Sequence, residues 1–212
     1  MLVEQRLAHR DPSDLTAWEL AVRGCALFRE CTAPSNRQAR DLLRKALARE
    51  RQFPWAYYLL ALTYQRDLIN QWGEHPAEAL AQMASISAEF ERVHEYDSRS
   101  KVISAYALIY RGNAPAAAEL LRSAIEDSPN NHRAYSLLGQ TLAMSDEPEA
   151  ALEQFENAIR LSPRDHDLWA IRTAVALTHF AAGSYPQAMT WAAAATRLRA
   201  DVPITGATQA AR

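Results

Sequence analysis

Among the six histidines, His132 and His166 stand 34 residues apart; Cys25 and Cys31 stand six apart, and short acidic runs occur as EDS and SDEPE. Imidazole, thiolate and carboxylate are the groups that ligate metals, move protons or attack carbonyl carbons, so their spacing decides what chemistry the chain could do. No HExxH, CxxC, GxSxG or P-loop pattern organises them. Two cysteines six apart on one helix would not face each other. The acidic runs fall in turns ahead of apolar stretches, where a helix start favours negative charge with no catalytic role. These residues predict no enzyme, no cofactor and no metal centre.

The elements that would position them are clearest in residues 132–165, HRAYSLLGQTLAMSDEPEAALEQFENAIRLSPRD. Tyr135, Leu138, Gly139 and Leu142 form an i, i+3, i+4, i+7 stripe, the mark of an amphipathic helix. The turn SDEP follows, with Pro148 suited to the first turn of a second helix. Ala151, Phe155, Ala158 and Ile159 share one face of that helix. Pro163 ends it, since proline lacks the N–H that would continue the ladder. Gly139, Ala151 and Ala158 stand where two helix backbones must approach closely. A pair this short cannot bury its apolar face alone and needs similar pairs stacked beside it.

The neighbours supply them. Ala105, Ala117, Leu121, Ala124 and Pro129 lie 34 residues before Gly139, Ala151, Phe155, Ala158 and Pro163. This helix–turn–helix period, with its small, aromatic and proline positions, resembles the tetratricopeptide repeat (TPR) family. The resemblance implies an all-α, right-handed superhelix, a solenoid of about five helix pairs. On that geometry His132 and His166 occupy turn positions one repeat apart, too distant to share a metal.

Composition agrees with a helical chain: 49% of the 212 residues are hydrophobic and only six are glycine. The net charge of −2, with both signs interspersed, gives no field to hold a phosphate backbone, so nucleic acid is not an expected partner. No run reaches the ~18–20 apolar residues of a membrane span, and the first residues, MLVEQRLAHRD, are charged too early for a signal peptide. Two cysteines suggest buried thiols in a reducing compartment, which predicts a cytoplasmic location.

In chain order, residues 1–13 are expected to form a lead-in with a short helix, followed by Asp14 as a helix cap. The array then spans residues 14–200, with repeats at about 15–52, 53–97, 98–131, 132–165 and 166–200. In the first, Gly24, Ala39, Leu43 and Ala46 take the small and apolar positions, and the turn CTAPSNRQ reads as about three residues too long. In the second, Tyr57, Leu60, Ala61 and Tyr64 form the stripe. The interval from Ala61 to Ala105 is ten residues longer than the period. That excess predicts a long loop around Trp72 and Gly73, a helix start at His75-Pro76, and a second helix about two turns longer than usual. The fifth repeat places Trp169, Ala176 and Phe180 on its first helix, which reads about one turn long, and Ala188, Ala192 and Ala195 on its second. Residues 201–212 read as a disordered tail. No polar capping helix follows Leu198, so the last apolar face is expected to meet a partner, a second copy in a homo-oligomer, or the remainder of a longer chain.

The resemblance also implies a working surface. TPR first helices line a concave groove, with contacts often at repeat positions 2, 5, 9, 12 and 13. Carried over, these are Trp18, Ala21, Cys25, Phe28 and Arg29, then Trp55, Tyr58, Leu62, Gln65 and Arg66. The third repeat gives Arg99, Val102, Tyr106, Ile109 and Tyr110; the fourth gives Arg133, Ser136, Gln140, Ala143 and Met144. The expected partner-binding residues are Trp18, Trp55, Tyr58, Arg66, Arg99, Tyr106, Tyr110, Arg133 and Gln140. Aromatic side chains and arginine anchor interfaces most often, and arginine clamps carboxylates, so the expected partner is a protein or peptide segment with acidic groups. Ala21 and Cys25 stand where a chaperone-tail carboxylate clamp would need lysine and asparagine. The stretch from Asp11 to Gly24, with the irregular repeats after it, resembles the TPR regions downstream of output domains in bacterial winged-helix regulators and class III nucleotide cyclases. That likeness implies a regulatory segment as an alternative to an interaction scaffold.

Overall fold

Prolines and small polar residues set where most of the helices begin. The computed structural model describes residues 11–73, 75–94, 97–165 and 167–200. Among them are ten α-helices and no strand. In chain order they are α1 (Ala17–Arg29), α2 (Ala33–Arg49), α3 (Pro54–Asn70), α4 (Pro76–Val93) and α5 (Ser98–Tyr110), then α6 (Ala114–Asp127), α7 (His132–Met144), α8 (Pro148–Leu161), α9 (Leu168–Ala181) and α10 (Tyr185–Ala200). Prolines at the first or second helical position open α2, α3, α4, α6 and α8, where their missing N–H costs nothing.

Each hairpin turn reverses the chain through one residue of left-handed backbone: Cys31, Gln71, Gly112, Asp146 and Gly183, with φ between 54° and 79°. After four of them the next N–H reaches back five residues, from Trp72 to Asp67, Asn113 to Leu108, Glu147 to Leu142 and Ser184 to His179, at 2.8–3.0 Å. These bonds satisfy carbonyls that the helix end leaves without a partner. Glycine meets the left-handed requirement without strain at two turns only; the other three carry a side chain there.

The chain divides within α5 into two compact units, residues up to Ile103 and Ser104–Pro203. In the first, Leu20, Leu43, Tyr57, Met83 and Phe90 are fully buried, and the rings of Tyr57 and Phe90 stack at 5.2 Å. In the second, Ala105, Ala117, Leu121, Ala151, Phe155 and Ala158 have no exposed surface. All of these except Leu20, Met83 and Phe90 were marked by the small-and-apolar pattern.

Close approach of paired helices is enforced by glycine. A Cβ on Gly139 would lie 2.8 Å from the Phe155 ring and 3.0 Å from the Ala151 carbonyl oxygen. On Gly24 the nearest atom is Cγ of Leu43 at 3.1 Å. The methyl of Gly139→Ala therefore meets a buried ring and a backbone atom, neither of which can swing away. We expect it to lower stability by about 1–3 kcal/mol in urea unfolding, even after the ~1 kcal/mol that alanine contributes to a helix interior. Gly24→Ala also meets a buried side chain and, at 3.3 Å, the Ala39 carbonyl oxygen, but with a few tenths of an ångström more room, so it should change stability by less than Gly139→Ala, about 1 kcal/mol or below in the same assay.

The structure corrects several expectations. Thr16, not Asp14, caps α1: its side chain accepts from the Glu19 N–H, and Glu19 accepts from the Thr16 N–H at 2.8 Å. The first turn is not long, because Thr32 caps α2 together with Ser35 and the extra residues lengthen that helix. The ten additional residues of the second repeat are shared, since α3 and α4 have 17 and 18 residues against 13 and 14 in α7 and α8. Helix α9 has 14 residues, so the excess of the fifth repeat lies mostly ahead of it. Cys31 lies beyond the end of α1, exposed, whereas Cys25 is buried. Phe180 belongs to no core stripe; it is 62% exposed. The lead-in helix in residues 1–10, His166 and the tail at 201–212 lie outside the described residues.

Candidate partner-binding surfaces

In the first unit the helices that carry the expected anchors are locked by buried polar groups. Asn36 on α2 donates to the Thr63 carbonyl at 2.8 Å and to Asp67 at 2.7 Å. Arg40 donates to the Thr63 hydroxyl at 3.1 Å, pairs with Asp67 and lies 4.0 Å over the Tyr64 ring. These contacts fix the angle of α3 on α2 and thereby the position of every side chain on α3.

Against that scaffold Trp18 opens α1 with 53% of its surface exposed. Trp55 opens α3 half-buried, its ring 6.1 Å from that of Phe53. Tyr58 is buried, with 8% exposed. Arg66 places its guanidinium 3.5 Å over the Phe28 ring and donates to the Phe28 carbonyl, which ties the end of α1 to α3. Arg99 grips Asp97 through two parallel hydrogen bonds of 2.9 and 2.6 Å. Burial alone would push the Asp97 carboxyl up; side-chain and backbone hydrogen bonds from Arg99 outweigh it and hold the group below its ordinary value.

In the second unit Tyr106 and Tyr110 are the ninth and thirteenth residues of α5, and Gln140 and Met144 hold the same registers on α7. Tyr106 and Gln140 are half-buried, Tyr110 is 40% exposed and Met144 69% exposed. Burial pushes the Tyr110 hydroxyl up to about 12, with a smaller contribution from Tyr106, so it remains a neutral donor through the physiological range. Gln140 reaches Ser136 at 3.5 Å, a contact at the limit of hydrogen bonding.

Arg133 belongs to a cluster that sequence spacing did not reveal. It donates to Asp167 at 3.1 Å and approaches Asp165 at 3.5 Å, while His132 Nε2 lies 2.7 Å from Asp165. The Asp167 N–H donates to the same carboxylate at 2.7 Å. Burial alone would raise the Asp165 carboxyl; the His132 hydrogen bond, the Arg133 charge and the Asp167 N–H outweigh it and hold the group far below the usual carboxylate range. The signal in the sequence was the pair Asp165 and Asp167, 33 and 34 residues after His132 and Arg133, one repeat on.

Thus the three expected arginines all have partners within the chain, and the aromatic positions divide into exposed (Trp18, Tyr110), half-buried (Trp55, Tyr106) and buried (Tyr58). The carried-over positions Ala21, Cys25, Phe28 and Leu62 are buried too. Residues that the pattern did not single out as exposed are Leu177, Phe180, Tyr185 and Met189 on the last hairpin, at 58–75% exposure. Among the described residues no three metal-ligating side chains come together, and no helix is long and apolar enough to cross a membrane.

A tetratricopeptide repeat family model matches residues 104–166 and 145–203. No curated protein matches the chain. Among solved structures, the hetero-tetramer Cut9–Hcn1 of the APC/C is similar over 93% of this chain and 36% of that one, with a TM-score of 0.71 and 17% identity. The chain thus spans about a third of that protein's length. TTC0263, a thermophilic TPR protein of Thermus thermophilus, is similar over 88% of this chain and 97% of that one, at TM-score 0.66 and 20% identity. MamA from Desulfovibrio magneticus RS-1, from residue 41 to its end, matches 92% of this chain and 98% of that one at TM-score 0.51 and 15% identity. At these identities the likeness is one of fold, the TPR helix-pair solenoid. The resemblance to winged-helix regulators and nucleotide cyclases draws no support from these matches.

Proposed function

We propose, from the tetratricopeptide repeats over residues 104–203 and the same class of helix-pair fold ahead of them, that this chain is a protein-interaction module without catalysis of its own. The repeat array on this reading spans residues 14–200. The observation that carries the proposal is the pair of registers in the second unit: Tyr110 and Met144, one period apart on successive first helices, offer apolar surface that the fold does not use. Tyr106 and Gln140 lie one turn before them, and Arg133 stands at the start of α7, to bind an apolar partner segment. In the first unit Trp18 and Trp55 are the anchors, Tyr58 and Arg66 belong to the same surface with Arg66 tying α3 to the end of α1, and Arg99, whose side chain is 37% exposed, is the contact for an acidic group. Aromatic and methionine surface on rigid helices binds with little ordering cost, which suits a module that captures segments.

Tyr110→Ala together with Met144→Ala is the informative variant, because both side chains keep 40% or more of their surface exposed, whereas loss of Tyr58 or Arg133 would disturb packing. We expect a partner captured from lysate by the natural chain to be lost by this variant, at a cost of about 2–4 kcal/mol in binding and with unchanged circular dichroism. Equal capture by both would move the binding site off these helices.

A further inference from the structure

Four of the large exposed apolar side chains form one continuous tract on the last hairpin. Leu177 and Phe180 are three residues apart on α9, the rings of Phe180 and Tyr185 meet edge-to-face at 5.6 Å, and Met189 lies one turn beyond Tyr185 on α10. Their exposures are 63, 62, 58 and 75%. Charge on this hairpin is of one sign. From Leu168 to Ala200 there is no carboxylate, and the charge-bearing residues are Arg172, His179, Arg197 and Arg199; residues 132–161 of the hairpin before it carry five carboxylates. Arg172 and His179 are seven apart, one helical step from the stripe of Thr173, Leu177 and Phe180, so the Arg172 charge and the His179 imidazole border the apolar tract. The Arg172 Nε is buried with no hydrogen-bond partner among the described residues. A carboxylate brought to the other donors of that guanidinium would offset the desolvation of its charge, while the Nε itself stays enclosed.

We infer that the α9–α10 hairpin carries a second docking surface, distinct from that of α5 and α7, whose occupant is an acidic amphipathic helix of a partner protein. Apolar residues of that helix at i, i+3, i+4 and i+7 cover Leu177, Phe180, Tyr185 and Met189, and its carboxylates meet Arg172 and Arg197. A second copy of this chain fits less well, because a two-fold contact sets the same patch against itself and would bring two carboxylate-free basic hairpins together.

The test uses the full chain and a fluorescently labelled synthetic helix with leucine at those four positions and glutamate on its polar face. A second peptide has lysine in place of glutamate. Anisotropy should show micromolar, saturable binding of the glutamate peptide that weakens with salt, and at least about tenfold weaker binding of the lysine peptide. Leu177→Glu with Met189→Glu should weaken the glutamate peptide at least about tenfold while retaining the native circular dichroism and melting temperature, both positions being exposed; Tyr110→Ala with Met144→Ala should leave it unchanged. Equal binding of the two peptides overturns the inference. So does no binding, as when another segment of the chain already fills the surface, or a dimer in sedimentation that Leu177→Glu with Met189→Glu abolishes.

Discussion

Phe155→Ala is expected to lower the stability of the second unit by about 3–5 kcal/mol, enough to leave its helices partly unfolded at physiological temperature. The ring has no exposed surface, and it fills the space that Gly139 leaves open on the facing helix. Removing it forfeits the transfer free energy of an aromatic side chain and leaves a cavity between two backbones that small residues already hold close. The neighbouring walls cannot collapse into the void, because Ala151 and Ala158 are short and themselves fully buried. Urea unfolding followed by helical circular dichroism reads the loss directly. A decrease below about 1 kcal/mol would mean that α7 and α8 are not held by this contact.

Asp165→Ala should cost about 2–3 kcal/mol at neutral pH, because it leaves His132, Arg133 and the Asp167 N–H without their common acceptor. The side chain of Asp165 is only 9% exposed, whereas His132 and Arg133 are 27 and 21% exposed and regain some solvation, which keeps the figure below that of a fully buried pair. The pH dependence follows from the lowered carboxyl. The unfolded chain binds this proton near pH 4 and the folded chain only at lower pH, so the stabilisation is complete above about pH 4 and is lost as pH falls through the folded value. In the natural chain the unfolding midpoint should fall steeply in acid; in Asp165→Ala that slope should be shallower. Parallel acid slopes would place the stabilisation elsewhere.

The fold was legible because its determinants are local and periodic. Gly139, Ala151, Phe155 and Ala158 recur with a 34-residue stride, and the structure buries all of them together with their counterparts Ala105, Ala117, Leu121 and Ala124. Helix lengths were read less well, since a repeat with surplus residues can place them in a loop or in helix, and α3 and α4 took them as helix. The surface was the least legible part. Spacing identifies which side of a helix Arg66, Arg99 or Arg133 occupies, but not that Phe28, Asp97 or the Asp165–Asp167 pair lies within reach, because those contacts depend on turns and on neighbouring elements. Exposure of Phe180 was hidden for the opposite reason: its spacing from Ala176 and Trp169 is that of a core residue, and among the described residues its surface is 62% exposed.

The central claim, that partners bind along the first helices of the repeats, is tested most directly by placing a photoreactive benzophenone side chain at position 144 on α7 or, in a second protein, at position 153 on α8. Both positions are exposed, so both probes are accepted by the fold. Irradiation in lysate should yield one dominant cross-linked partner from position 144, reduced by Tyr110→Ala, and none of that species from position 153. The same partner cross-linked from position 153 and absent from 144 would put the binding surface on the second helices and contradict the account.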